Sequence, residues 1–179
     1  MASPVSPGGG IRLRVATADD LRYLSGLARD PQVEPFLAPG AGAPERLEAV
    51  LSQTGPDGGP SGMFVIESGS SQPLGGLALQ VVSQNSRICE LTRLMIDPAV
   101  RRSGVGAQAV ILACRRALVD HRFHRVQAET YGDNVAAQRL FERAGFVREG
   151  VRRRAYWRRD QWLDGVLFGI LAEEVGDGE

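Results

Sequence analysis

Arg101-Arg102-Ser103-Gly104-Val105-Gly106-Ala107 is the stretch of this 179-residue chain that decides its fold. Before it, Ile88 to Ile96 reads as a strand, with Leu91, Leu94 and Ile96 apolar and Pro98 ending the run. After it, Ala107, Val110, Ile111, Cys114 and Leu118 recur at helical spacing. A strand therefore feeds a glycine-rich turn that opens a helix. The first turn of a helix has unpaired N–H groups and the positive end of a dipole. Gly104 and Gly106 lack the Cβ atoms that would hold a ligand off that backbone, and Arg101 and Arg102 add charge. Such a loop suits a pyrophosphate. A P-loop is excluded, because the chain has no lysine. A dinucleotide fingerprint is disfavoured by Ala109 at its third glycine position and by the loop's place beyond mid-chain.

Some thirty residues on lies Asp133-Asn134-Val135-Ala136-Ala137-Gln138-Arg139-Leu140-Phe141-Glu142-Arg143-Ala144-Gly145-Phe146. Asp133 or Asn134 can cap a short helix, Ala137, Leu140, Phe141 and Ala144 form its inner face, and Gly145 stops it. Together the two stretches resemble the motifs of the GNAT family of acetyl-CoA-dependent N-acetyltransferases. The first family motif, Arg/Gln-x-x-Gly-x-Gly/Ala, is matched by Arg101, Gly104 and Gly106; the second by Asn134, Ala137, Phe141, Gly145 and Phe146. Pro73-Leu74-Gly75-Gly76-Leu77 is similar to the family's third strand. The tail from Glu149 through Arg152, Tyr156 and Trp162-Leu163-Asp164-Gly165 to Leu171 is similar to the RimJ/RimL branch, which acetylates protein N-terminal amines.

The resemblance spans about residues 11–172. It implies a single α/β domain with the GNAT fold: a mixed, mostly antiparallel sheet, splayed central strands and about four helices. Acetyl-CoA is then the co-substrate, with its pyrophosphate over Arg101, Arg102, Ser103, Gly104, Val105, Gly106 and Ala107. Its pantetheine would pair with the backbone of Met95 and Ile96, and Asn134, Ala137, Phe141 and Arg143 would complete the site. A homodimer is compatible with the same resemblance.

The element pattern fits that fold. Residues 1–10 are Pro, Ser and Gly-rich and read as a disordered tail; residues 173–179 read as an acidic one. Between them the order is a strand at Ile11 to Val15, helices through Leu21–Leu27 and Pro44–Gln53, and strands at Met63–Glu67, Leu74–Ser83 and Ile88–Ile96. Then come a helix of about 105–120, a strand at Val126–Tyr131, a helix at 134–144, and paired strands Phe146–Tyr156 and Gln161–Ala172.

Formal net charge is zero but unevenly spread: residues 87–159 carry 16 arginines against 7 acids, whereas 160–179 carry no arginine and 6 acids. A basic middle around the loop suits a polyanion such as CoA. The acidic flanks and few aromatics argue against nucleic acid. Cys89 and Cys114 form no disulfide framework, no metal-ligand spacing is present, and no apolar run or signal peptide calls for a membrane, so a cytoplasmic protein without metal is expected.

Acetyl transfer to an amine needs a base for the ammonium proton, polarisation of the thioester oxygen, and a fate for the thiolate. Glu90, on the strand before the loop where the resemblance puts an acidic residue, is the first choice of base, with Thr92 on its face; Glu129 on the next strand is the second. The ordinary alternative is that either is a strand carboxylate paired to an arginine, such as Arg93 or Arg87. Many family members carry a Tyr acid at the position of Phe141, or a Ser at that of Ala137; neither residue here has a proton to give. Tyr131 and Tyr156 are the candidate substitutes; otherwise the thiolate leaves unassisted. Arg152, Arg153, Arg154, Arg158 and Arg159 frame the last hairpin, either as solvated surface or as a binder of acidic groups. The chain thus reads as an N-acetyltransferase acting on a protein N-terminus or small amine by direct attack in a ternary complex. The alternatives are an inactive acyl-CoA-binding module and an aminoglycoside-type enzyme.

Overall fold

The computed structural model describes residues 10–55 and 59–175. The expected N-terminal tail, apart from Gly10, lies outside them, as do residues 176–179 of the acidic tail. Residues Ala172–Glu174 form a 3-10 turn, in which Glu174 Oε2 accepts a 2.8 Å bond from the N–H of Leu171.

Seven strands make one sheet: β1 (Arg12–Val15), β2 (Gly62–Glu67), β3 (Pro73–Ser83), β4 (Ile88–Ile96), β5 (Arg125–Tyr131), β6 (Val147–Arg158) and β7 (Gln161–Leu171), in the order β1-β2-β3-β4-β5-β7-β6. All neighbours are antiparallel except β4 and β5. The helices are α1 (Leu21–Ala28), α2 (Pro44–Leu51), α3 (Val105–Arg115) and α4 (Val135–Arg143). This is the GNAT fold in one domain. The parallel pair requires a crossover, and the loop of residues 97–104 with α3 supplies it.

Alternation along the strands splits the core in two. Phe64, Leu77, Leu91, Val126, Ala128 and Phe168 face α3 and α4, while Met63, Val65, Ala78 and Met95 face α1 and α2 with Leu24 and Leu47. Each such large side chain, fully buried, contributes about 1.5–3 kcal/mol. The buried face of α3 differs from the one expected. Ile111 is exposed and Ala107 half-buried, while Val105, Gly106, Ala109, Val110, Ala113 and Cys114 are buried. Small residues let this helix lie close to the sheet, so the alanines mark the inner face better than the isoleucine does. The helix closes in a π turn at Arg116–Asp120 rather than running on as α-helix to 120.

Two features of β4 position everything that follows. Its pairing with β5 covers Ile88 to Leu91 and stops at Leu91↔Ala128, although both strands continue. At the same place Arg93 adopts φ 52°, and the register with β3 slips between Ala78↔Thr92 and Gly76↔Met95. This is a β-bulge, which inserts one residue and bends the strand. It explains the apolar spacing 91, 94, 96: with the extra residue, Leu91, Leu94 and Ile96 all reach the α3 face, and Met95 the other.

Candidate active site

The fork between β4 and β5 is where the chemistry-bearing residues gather. A cavity of about 330 Å³ opens there, lined by Glu90, Thr92 and Arg93 of β4, Glu129 and Tyr131 of β5, and Tyr156 of β6. Gln80 of β3 joins them, and Phe36 and Leu37 from the α1–α2 connection form a wall. Both carboxylates considered as bases thus share one cavity, because residues 90 and 129 point to the α1/α2 side of the sheet. Burial pushes the pKa of Glu90 up; Gln127, opposite it in register, pulls partly down, and the charge of Glu129 pushes up again.

The two carboxylates have different partners. Glu129 Oε2 accepts a 3.0 Å bond from Arg152, while its Oε1 is buried without a hydrogen-bond partner, as is Thr92 Oγ1. The ordinary pairing to an arginine thus holds for Glu129, with Arg152 rather than the arginines named as examples; Arg87 reaches the Arg122 carbonyl and Arg93 the Ala41 carbonyl. Gly165 makes room for Glu129: a Cβ there would lie 2.0 Å from Oε1. Gly165, Gln80, Gln127, Phe36 and Leu37 are absent from the sequence-derived set. Only the pairing register of β3, β4, β5 and β7 brings the first three in, and the α1–α2 path the others.

Tyr131 donates to the Leu37 carbonyl at 3.4 Å and meets the ring of Tyr156 edge-on at 5.2 Å. Burial, followed by the neighbouring Glu129, pushes the Tyr156 phenol up to about 12, so both tyrosines are neutral at pH 7. Arg158 lies over the Tyr131 ring and pairs with Glu34, and Arg159 pairs with Asp133. Arg152, Arg158 and Arg159 are therefore committed to acids of the protein itself, whereas Arg153 and Arg154 make no ion pair among the described residues.

At the helix mouth, no hydrogen bond within the protein engages the N–H groups of residues 102–107 among the described residues; the first helical donor is Gln108, to the Gly104 carbonyl. Gly104 sits at φ 85° with open space where a Cβ would be, and Arg102 at φ 64° turns the loop. Gly106 has a different role from the one expected. Its missing Cβ would lie 2.6 Å from Leu140 Cδ1, so this glycine lets α4 pack on α3 rather than clearing space for a ligand. Ser103 donates to the Val100 carbonyl at 2.6 Å, and Arg101 reaches across to the Gln32 carbonyl. Met95 and Ile96 pair with Gly76 and Gly75 on one edge, and their other edge faces the fork unpaired by β5.

Three of the expected site residues, all at or on α4, stand apart from the cavity. Phe141 is 4% exposed, stacked among Phe146 and Phe168 on the α3 side of the sheet. Asn134 spends its side-chain oxygen capping α4 through the Ala137 N–H at 3.1 Å. Arg143 is exposed in the last turn of α4, where its charge complements the helix dipole. Among the described residues no cluster of His, Cys, Asp and Glu could hold a metal ion, and no helix is long and apolar enough to cross a membrane.

The forked parallel pair, the open amide loop and the crossover helix define an acetyltransferase scaffold. The chain belongs to the GNAT acetyltransferase family, whose domain profile matches residues 11–147. Two Bacillus subtilis proteins are similar over part of their length. The SPbeta prophage-derived uncharacterized N-acetyltransferase YokL is 27% identical over 81 residues, covering 45% of this chain and 46% of that protein. The probable N-acetyltransferase YjcK is 30% identical over 76 residues, covering 42% of each. The chain thus spans less than half the length of these curated relatives. Among solved structures, spermidine N-acetyltransferase from Vibrio cholerae in complex with CoA and spermine superposes with a TM-score of 0.81 at 20% identity, over 92% of this chain and 97% of that one. A chimera of that enzyme, SpeG, with hSSAT superposes at 0.80 and 19%, over 92% and 97%. These two share the fold.

Proposed function

We propose that the chain is an acetyl-CoA-dependent N-acetyltransferase, acting in the cytoplasm on a primary amine by direct attack in a ternary complex. The observation that carries this reading is the coincidence of three features at one fork: free β4 backbone at Met95 and Ile96, unpaired amides at 102–107, and a cavity holding Glu90. A CoA thioester would lay its pyrophosphate on the amides, with its acetyl end at the cavity. Solved SpeG with CoA and spermine supports this use of the scaffold.

In the proposed reaction Glu90 takes the ammonium proton, the neutral nitrogen attacks the thioester carbonyl carbon, and as the C–S bond breaks the extra proton left on that nitrogen passes to the departing thiolate, giving the N-acetyl amine and the CoA thiol. Its raised pKa brings Glu90 closer to neutrality, where a base is more effective. Phe141 supplies no proton. Tyr131 spends its hydroxyl on Leu37, which leaves Tyr156 as the donor to the departing sulfur. Full transfer from a phenol near 12 to a thiolate whose thiol has a pKa near 8.5 is uphill, so Tyr156 hydrogen-bonds the thiolate rather than protonating it. Cys89 and Cys114 are buried, their thiols pushed by burial up to about 11 and about 12, so neither serves as an acetyl carrier.

The RimJ/RimL-like tail favours a protein N-terminus as acceptor, while the structural neighbours favour a small amine. The buried Phe141 favours a second reading, an acyl-CoA-binding module without turnover. Thiol release from acetyl-CoA with a panel of N-terminal peptides, polyamines, aminoglycosides and amino acids tests the proposal. Amine-dependent release with an N-acetylated product is expected. Tight acetyl-CoA binding with no release on any amine would leave only the binding module.

A further inference from the structure

Most arginines around the cavity have an acid: Arg152 has Glu129, Arg158 has Glu34 and Arg159 has Asp133. Arg93, the arginine that lines the cavity itself, has none among the described residues. One N–H of its guanidinium, on Nη1, donates to the Ala41 carbonyl at 2.9 Å, and its other side-chain donors meet no acceptor among the described residues. Burial lowers its pKa below the ordinary value, and the like charge of Arg46 lowers it further. Arginine nonetheless stays protonated in proteins, so the chain keeps an uncompensated cation half-buried in a cavity that also holds two carboxylates. The backbone is bent to place it there. Arg93 occupies the bulge of β4 at φ 52°, a left-handed conformation unfavourable for a residue with a Cβ. Bulges beside active sites commonly re-aim a side chain.

Building on the transferase reading, we propose that Arg93 binds a carboxylate of the acceptor, so that the acceptor carries a primary amine and a carboxylate together. The amine sits at Glu90 and the carboxylate on the free donors of Arg93, whose planar fork matches it. The cavity of about 330 Å³ lies at the small end of ligand pockets, which suits one amino-acid-sized group. That group is either a free amino acid or an acidic first or second residue at a peptide N-terminus.

The test compares matched acceptors on the full chain with saturating acetyl-CoA. One arm sets free amino acids against their amides. The other sets dipeptide amides with Asp or Glu against those with Asn or Gln. In at least one arm the acid is expected to exceed its neutral partner in kcat/KM by about 10–100-fold, the range of a hydrogen-bonded charge pair. Arg93→Gln should bring that ratio close to one, by raising KM for the acids far more than for their neutral partners. Arg93→Lys, which keeps the charge and loses the fork, should retain part of the preference. Should Arg93→Gln fail to fold, the wild-type ratios and Arg93→Lys decide. Neutral partners used as well as the acids in both arms would overturn the Arg93 assignment and leave the transferase intact, as would equal losses on acids and neutrals in Arg93→Gln. Turnover on polyamines or aminoglycosides with none in either arm would overturn the Arg93 assignment alone, and acetyl-CoA binding with no turnover on any amine would overturn both.

Discussion

Two charged regions of this molecule are built on opposite principles. On β1 and β2, Glu67 is buried, yet Arg12 donates to its Oε2 at 2.9 Å and Arg14 to its Oε1 at 2.7 Å, while Arg14 also holds Asp20. At the β4–β5 fork, Glu129 Oε1 and Thr92 Oγ1 are buried without partners, and Arg93 has no acid. The difference shows in Glu67 and Glu90. Burial alone pushes both pKa values up, but Arg14 and Arg12 reverse it at Glu67 and bring it below the ordinary carboxylate, whereas nothing reverses it at Glu90. The unpartnered polar atoms at the fork support the proposal that a ligand binds there.

Removing one carboxyl charge from each region breaks the comparison if both behave alike. The largest effect is expected from Glu90→Gln: a fall in kcat of about 10²–10⁴-fold with acetyl-CoA affinity nearly intact, read by steady-state kinetics beside calorimetry. A small fall, or one confined to affinity, moves the base to Glu129 or to water.

Next comes the amide loop. Gly104→Asp puts a negative charge into open space beside the unpaired N–H groups, and should weaken acetyl-CoA binding by at least about tenfold without unfolding the chain. Gly106→Asp should instead lower the melting temperature, through the clash with Leu140. Equal thermal stability of the two variants would contradict the assignment of separate roles.

Glu67→Gln should cost about 1–3 kcal/mol of stability in urea unfolding, less than a fully buried pair because Arg12 and Arg14 reach solvent, and leave kcat unchanged. Because the folded-state pKa of Glu67 is depressed, this contribution is present above the unfolded-state pKa and fades as pH falls through the folded one. Wild type and Glu67→Gln should therefore converge in stability at acid pH. The smallest effect concerns Glu90. Its carboxylate must be ionised to accept a proton, so kcat/KM should rise with pH through a limb above the ordinary carboxylate range. Glu129→Gln removes one of the causes raising it, and should move that limb to lower pH.

Much of this was legible in the sequence. The element order was, because β4, α3 and α4 carry clean periodicity between strong stop signals. Even the bulge was encoded, in the spacing of Leu91, Leu94 and Ile96, though only the register with β3 reveals it as a bulge. What stayed hidden depends on partners distant in sequence. Gly106 and Gly104 look equivalent in the loop, but only one faces Leu140. Arg93 looked like a partner for Glu90 or Glu129, until Arg152, twenty-three residues from Glu129, took one of them. The wall from Phe36 and Leu37 depends on the path of an irregular segment, which periodicity does not describe.

The proposed reaction transfers acetyl in one step from CoA to a bound amine, with Glu90, a carboxylate whose pKa is raised by burial at the fork, as base. The most direct test mixes the full chain with acetyl-CoA first alone and then with a primary amine, following thiol release and the mass of the protein. Release only after the amine is added, with the protein mass unchanged and intersecting initial-rate lines when both substrates are varied, is the predicted result. A burst of thiol with an acetylated protein before any amine is present would contradict it.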